Sequence, residues 1–84
     1  MLDIFEMIAY RFKRPMRFSI SELDHDLVCV ILDKNGVDLA MISRIEKDYG
    51  PDWIRFDFEV SARKLKRIRR DLDKYVTVQR WYAI

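Results

Sequence analysis

Residue 61 marks a change of hydrophobic period that restricts the possible folds of this chain. Residues 54–60 alternate strictly between apolar and charged side chains, which is typical of a strand with one face in water. Residues 61–75 instead repeat apolar side chains every three or four positions, which is typical of an amphipathic helix. Ser61 stands at the junction, where its hydroxyl can accept a hydrogen bond from the first free amides of that helix. The sequence therefore predicts a strand that leads directly into a helix.

The helix predicted for residues 61–75 has two unlike faces. Four side chains form the apolar face: Leu65, Ile68, Leu72 and Tyr75. Five bases form the opposite face: Arg63, Lys66, Arg67, Arg70 and Lys74. A solubilising helix face normally mixes both signs, because opposite charges one turn apart stabilise the helix. The uncompensated bases therefore predict a site for phosphate or for an acidic partner. Arg69 falls on the apolar side, where it needs a position at the rim or an acid to pair with.

The remaining segments predict a second helix and further strands. Residues 2–14 carry apolar side chains at helical spacing and stop before a proline, so they predict a helix. Residues 16–21 alternate like a half-buried strand, and residues 27–32 are apolar on both faces, like a central strand. Residues 76–84 are rich in β-branched and aromatic side chains, which predicts a last strand.

The segment after the apolar run allows two interpretations. Asn35-Gly36 favours a type I′ hairpin turn, with residues 27–32 as the first strand of the hairpin. Alternatively, residues 38–49 form a helix that Asp38 caps. The hairpin is favoured because Asn-Gly after an apolar run is the stronger local signal.

Together these elements predict a single α+β domain over residues 1–84, in the order α-β-β-β-β-α-β. Because the strands alternate, we expect a two-layer sandwich with a mainly antiparallel sheet of four to five strands. Two helices would cover one face of that sheet. A chain of 84 residues has material for one core only.

The sequence also predicts a soluble protein of the cytoplasm. The longest apolar run, residues 27–32, is far shorter than the roughly 20 residues that span a bilayer. The acidic N-terminal stretch does not fit a signal peptide. The single cysteine, Cys29, cannot form an internal disulfide, which fits a reducing compartment. We therefore expect no membrane partner.

Charge is separated along the chain. Residues 1–19 sum to +2, residues 20–60 to −6 and residues 61–84 to +6. If the folded surface keeps this separation, the protein has an acidic side and a basic side. Such a surface favours binding to an unlike partner or to a second copy of the chain.

No residue pattern predicts catalysis, a cofactor or a metal site. His25, the single histidine, lies between two acids in a polar turn, and Cys29 is expected in a strand, where a buried thiol stays protonated. The carboxylates there lack the spaced clusters that metal sites need. Gly36 and Gly50 stand alone, so no phosphate-binding glycine loop is present. We expect that the protein is not an enzyme.

These observations favour a small non-catalytic interaction protein, such as an inhibitor, adaptor or regulatory subunit. It would bind a protein partner or itself through the charge-separated surface. The alternative is a nucleic-acid-binding protein whose basic helix face contacts phosphates. Three aromatic side chains are candidates for stacking on bases or for anchoring a partner: Tyr10, Trp53 and Trp81.

Overall fold

The computed structural model describes residues 13–48 and 50–82 and contains four strands and two helices within these ranges. The strands are β1 (Arg14–Ser21), β2 (Ser43–Glu46), β3 (Trp53–Val60) and β4 (Gln79–Trp81). The helices are α1 (His25–Lys34) and α2 (Ala62–Tyr75), and short 3-10 helices cover Glu22–Asp24 and Leu39–Met41. The predicted α+β class with an antiparallel sheet and two helices is confirmed.

The strand order of the described sheet is β2-β3-β1-β4, and every neighbouring pair is antiparallel. Each helix therefore connects two strands that have a third strand between them. This is the split βαβ topology known as ferredoxin-like. Many unrelated functions share it, so the topology does not assign one.

The two helices lie over different halves of the same sheet face. The His25 ring of α1 stacks on Phe56 of β3, with centroids 5.9 Å apart. The Arg69 guanidinium of α2 lies 4.5 Å from the ring centre of Trp81 in β4. Helix α1 thus covers the β2 side of the sheet, and α2 covers the β4 side.

The core lies between this sheet face and the two helices. Phe18 is fully buried at its centre, with ring centroids 5.5 Å from Phe56, 6.1 Å from Phe58 and 4.9 Å from Trp81. The helices contribute five buried aliphatic side chains: Val28, Ile31, Leu32, Ile68 and Leu72. The alternation predicted for residues 16–21 and 54–60 is confirmed, because both segments are strands that direct every second side chain into this core.

The strand predicted for residues 27–32 is wrong, because this segment lies within α1. The buried residues Val28, Ile31 and Leu32 follow helical spacing, while Leu27 and Val30 are exposed. A short run that is apolar throughout fits both periods, so periodicity cannot separate a buried strand from a helix.

The hairpin at Asn35-Gly36 is also wrong, because these residues end α1. The Gly36 amide donates to the Asp33 carbonyl (2.9 Å) and the Val37 amide donates to the Leu32 carbonyl (3.0 Å), which is a Schellman motif. Gly36 has a φ of +78°, the left-handed conformation that this position requires. The glycine in Asn-Gly therefore terminates a helix here.

Residues 38–49 correspond to neither interpretation in full. The Asp38 carboxylate accepts a hydrogen bond from the Ala40 amide (3.0 Å), as a helix cap would, but the helix lasts only one 3-10 turn. Ser43–Glu46 then forms β2, which pairs with β3. Strand pairing therefore replaces the predicted helix after its first turn.

At the two ends of the chain the predictions are tested only in part. The helix predicted for residues 2–14 lies outside the described residues except for its last two positions, and Arg14 belongs to β1. The strand predicted for residues 76–84 is shorter than expected, since β4 covers Gln79–Trp81. Helix α2 is confirmed, with the Ser61 hydroxyl accepting from the Lys64 amide at 3.2 Å. Within the described ranges, neither helix has the length and apolar character of a membrane span.

The sheet face away from the helices carries a polar cluster centred on Asp48, whose side chain is only 11% exposed. Its carboxylate accepts hydrogen bonds from the Ser19 hydroxyl (2.9 Å), the Arg55 guanidinium (3.0 Å) and the Tyr82 hydroxyl. The Tyr82 hydrogen bond lowers the pKa of Asp48 most. Burial opposes it, while Ser19 and the charge of Arg55 lower this pKa further. Asp48 thus joins β1, β3 and the residue after β4.

We expect Asp48→Asn to lower the free energy of unfolding by about 1–3 kcal/mol at pH 7, because buried partners lose a charged acceptor. The folded pKa of Asp48 lies below its unfolded value of about 3.9. Its contribution is therefore complete above that value and is lost as the pH falls towards the folded pKa. Urea unfolding of both proteins from pH 7 to pH 3 measures this. A stability difference that stays constant over the whole range would contradict the assignment.

Candidate functional site

The five bases predicted to share a helix face do so in the structure. The basic arc consists of Arg63, Lys66, Arg67, Arg70 and Lys74, and all five are exposed. Ion pairs within the described residues involve other groups, and Lys74 contacts only the Tyr75 ring, 5.2 Å from its centre. At 1.5 Å per residue the arc extends roughly 17 Å along α2. It is a continuous line of positive charge that the described residues leave open.

A groove lies beside this arc, between the first turns of α2 and the β4 edge of the sheet. The edge groove has a volume of about 450 Å³. Its lining includes four bases and two aromatic residues: Arg14, Arg17, Lys66, Arg69, Trp81 and Tyr82. Its apolar lining includes Pro15 and Leu65, and no acid belongs to the lining among the described residues. Lys66 belongs to both the basic arc and the edge groove, so the two surfaces are continuous.

The edge groove lies beside the part of β1 that β4 does not pair with. Strand β1 pairs with β3 along all eight of its residues but with β4 only at Phe18, Ser19 and Ile20. The Tyr82 amide also donates to the Arg17 carbonyl at 3.0 Å, so among the described residues it is residues 14–16 that have no chain paired on this side. Arg14 belongs to this part of β1, and the Arg17 side chain lines the groove from the sheet face away from the helices.

Arg69 lies on the apolar side of α2, where an aromatic ring is its partner. Its guanidinium stacks on Trp81, 4.5 Å from the ring centre, a distance at which a cation is attracted to the ring. The Trp81 indole also contacts Phe18 and donates to the Gln79 side chain at 2.9 Å. Trp81 therefore closes the core and positions Arg69, and a ligand in the groove would meet the guanidinium.

Two other groove residues have partners on the opposite sheet face. Arg17 pairs with Asp57 (3.1 Å), which neutralises part of its charge. The Tyr82 ring lies 5.7 Å from both the Arg55 and the Arg80 guanidinium carbons. These contacts connect the groove to the Asp48 cluster and fix the positions of Arg17 and Tyr82 in the groove lining.

Acidic residues gather at the other end of β1 from the edge groove. A cleft of about 490 Å³ lies between the start of α1 and the β2–β3 connection. Its lining includes three acids, Glu22, Asp26 and Glu46, beside one lysine, Lys47. The cleft lies where β1 ends and β3 starts, whereas the edge groove lies beside the start of β1, so the two surfaces lie at opposite ends of this strand.

The other predicted anchors lie elsewhere. Trp53 is half-buried at the start of β3 and lines the acidic cleft, whereas α2 begins after the other end of this strand. Tyr10 lies outside the described residues. Of the three predicted aromatic side chains, only Trp81 lies beside the bases.

His25 and Cys29 come closer together than expected, because they are one turn apart on α1. Nε2 of His25 lies 3.7 Å from the Cys29 sulfur and 3.1 Å from an Arg44 guanidinium nitrogen. A guanidinium only donates, so Nε2 is the acceptor and its lone pair is engaged by Arg44. Burial raises the pKa of the Cys29 thiol, although the Arg44 charge opposes this. The engaged lone pair of His25 and the raised pKa of Cys29 both work against a thiolate nucleophile.

Sequence patterns missed three parts of the edge groove. These patterns predict Arg14 in a helix, Arg17 on the solvent face of a strand, and Tyr82 in a last strand that returns to the sheet. The signal available was the interleaving of bases with aromatic residues in two segments, residues 10–18 and 80–82. The strand order that places β1 and residues 80–82 beside α2 depends on pairing between distant residues.

The basic arc and the edge groove form the candidate site, and three observations bear on what it can bind. The bases are exposed, the edge groove is lined without acids, and the cleft at the opposite end of β1 is acidic. Within the described ranges, no group of three or more His, Cys, Asp or Glu residues is placed to hold a metal ion. No protein-family model, curated protein or solved structure matches this chain.

Proposed function

We propose that this chain is a small non-catalytic interaction protein of the cytoplasm that binds nucleic acid through its basic edge. The basic edge is the basic arc together with the edge groove. The observation that carries the proposal is the continuity of these two surfaces through Lys66, with no acid in the groove lining among the described residues. Positioned Lys and Arg side chains are sufficient for phosphate binding, and no rare spacing is needed.

The regular spacing of the arc favours a phosphate backbone over an acidic protein surface. The arc places one or two bases on every turn of α2, about 5.4 Å apart. A nucleic-acid backbone carries a negative charge at every nucleotide and so can contact every turn. An acidic protein surface presents fewer and less regular charges. An acidic protein surface is therefore the alternative partner that the experiment must distinguish from nucleic acid.

The same contacts predict recognition without base specificity. Trp81 is already engaged by Phe18 and Arg69, so it has little surface left for stacking on bases. The guanidinium of Arg69 is the group that the groove offers to a ligand, and it suits phosphate. The groove therefore favours binding to the backbone, with little discrimination between sequences.

Fluorescence anisotropy with labelled single strands and duplexes, measured over a range of salt concentrations, tests this function. Six phosphate contacts would give a log–log salt slope of about −4 for a single strand. The affinity should vary little between sequences of the same length. Polyglutamate of matched charge serves as the competitor that represents an acidic protein. Absence of binding to any nucleic acid at low salt, or equal competition by polyglutamate, would contradict the proposal.

A further inference from the structure

The residue Leu23 is the most exposed large apolar side chain among the described residues, at 93%. It lies in the 3-10 helix between β1 and α1, with Glu22 and Asp24 on either side. Leu27, one turn later on α1, continues the apolar surface at 38% exposure. Leu23 is thus an apolar projection ringed by carboxylates, at the acidic cleft.

The edge groove has the complementary arrangement. Pro15 and Leu65 are part of its apolar lining, and its bases are Arg14, Arg17, Lys66 and Arg69. An apolar side chain surrounded by acids therefore matches an apolar groove surrounded by bases. Leu23 follows the end of β1 and the groove lies beside its start, so one molecule cannot bring the two surfaces together.

We propose that Leu23 of one copy docks in the edge groove of a second copy, so that the protein associates head to tail. This contact uses the basic edge of the proposed function but does not depend on nucleic acid as its ligand. Charge complementarity identifies the occupant, because the bases of the groove require a partner with acids around an apolar side chain. A head-to-tail contact leaves one projection and one groove free on each dimer, so further copies add to a chain.

The charged rims make this association dependent on salt. Exposed charges are screened over about 8 Å at physiological ionic strength, so rim pairs weaken as salt is added. The apolar contact of Leu23 is not screened. Loss of Leu23 should therefore disrupt the assembly even at low salt.

Sedimentation velocity without nucleic acid tests the proposal, from micromolar to millimolar protein at low salt. The weight-average mass should rise with concentration above the monomer mass of 10.2 kDa, and the rise should be suppressed at high salt. Leu23→Ser alone and Lys66→Glu,Arg69→Glu alone should both remain monomers. Met41→Ser removes another exposed apolar side chain, 77% exposed, and should assemble like the wild type.

Mixing the two defective proteins gives the decisive result. The Leu23→Ser copy retains an intact groove and the Lys66→Glu,Arg69→Glu copy retains an intact projection, so together they should form a 1:1 dimer that grows no further. A mixture that stays monomeric, or a wild type that is monomeric at every concentration, would overturn the inference. Because no nucleic acid is present, neither result depends on whether the proposed function is correct.

Discussion

Replacing Phe18 by alanine is expected to remove most of the stability of this domain. Its ring is fully buried and contacts Phe56, Phe58 and Trp81. Removal of a buried phenylalanine costs about 3–5 kcal/mol, because burial is reduced and a cavity remains. Native domains are stable by only about 5–15 kcal/mol, and a chain of this size is expected near the lower limit. Urea unfolding followed by circular dichroism measures the decrease.

An exposed apolar residue provides the control for this substitution. Met41 is 77% exposed, so Met41→Ala should change the free energy of unfolding by less than about 0.5 kcal/mol. Phe18→Leu keeps much of the buried volume and should fall between the two. If Phe18→Ala costs less than about 1 kcal/mol, Phe18 cannot lie at the centre of the core as described.

The sequence predicted an element correctly where one face of that element is polar and exposed to solvent. In residues 54–60, Arg55, Asp57 and Glu59 mark the face away from the core, so the period of two was unambiguous and β3 lies where predicted. In residues 61–75 the bases mark the outer face, and α2 lies where predicted. The arc of five bases followed from helix geometry alone.

Prediction failed where both faces of an element are apolar. Leu27 and Val30 are exposed on α1 without being polar, so nothing in residues 27–32 distinguished a helix from a buried strand. With a strand over residues 27–32, Asn35-Gly36 is predicted to form a hairpin turn. In the structure, Gly36 has the positive φ that a turn would also require, but it ends a helix. The wrong prediction for residues 27–32 thus caused the wrong prediction at Asn35-Gly36.

The edge groove was not predictable from local patterns. It depends on β4 pairing with three residues of β1 and on α2 connecting β3 to β4 across β1. Arg14, Arg17 and Arg69 come from two distant segments and meet only in the folded chain. Likewise, the positions of the acidic cleft and the edge groove at opposite ends of β1 follow only from the folded structure. Composition could show that the charges are segregated, but not where they lie.

The double substitution Arg67→Glu,Arg70→Glu reverses two charges of the basic arc. We expect it to reduce the affinity for nucleic acid by about 100-fold. Hydrogen bonds to charged groups contribute about 1.5–3 kcal/mol each, and about 1.4 kcal/mol corresponds to a factor of ten. The log–log salt slope should also fall by about 0.7–0.9 for each phosphate that the variant no longer binds. Because both residues are exposed and without ion-pair partners among the described residues, the stability of the fold should not change.

A matched variant separates a local contact from a change of net charge. Lys47→Glu alters the net charge by the same amount as Arg70→Glu, but Lys47 is exposed at the acidic cleft. Arg70→Glu should weaken binding by about tenfold and lower the salt slope, whereas Lys47→Glu should leave the slope unchanged. Equal decreases in affinity for both variants would mean that binding responds to overall charge and that the basic edge is not the contact surface. A decrease for Arg70→Glu alone would assign the contact to α2.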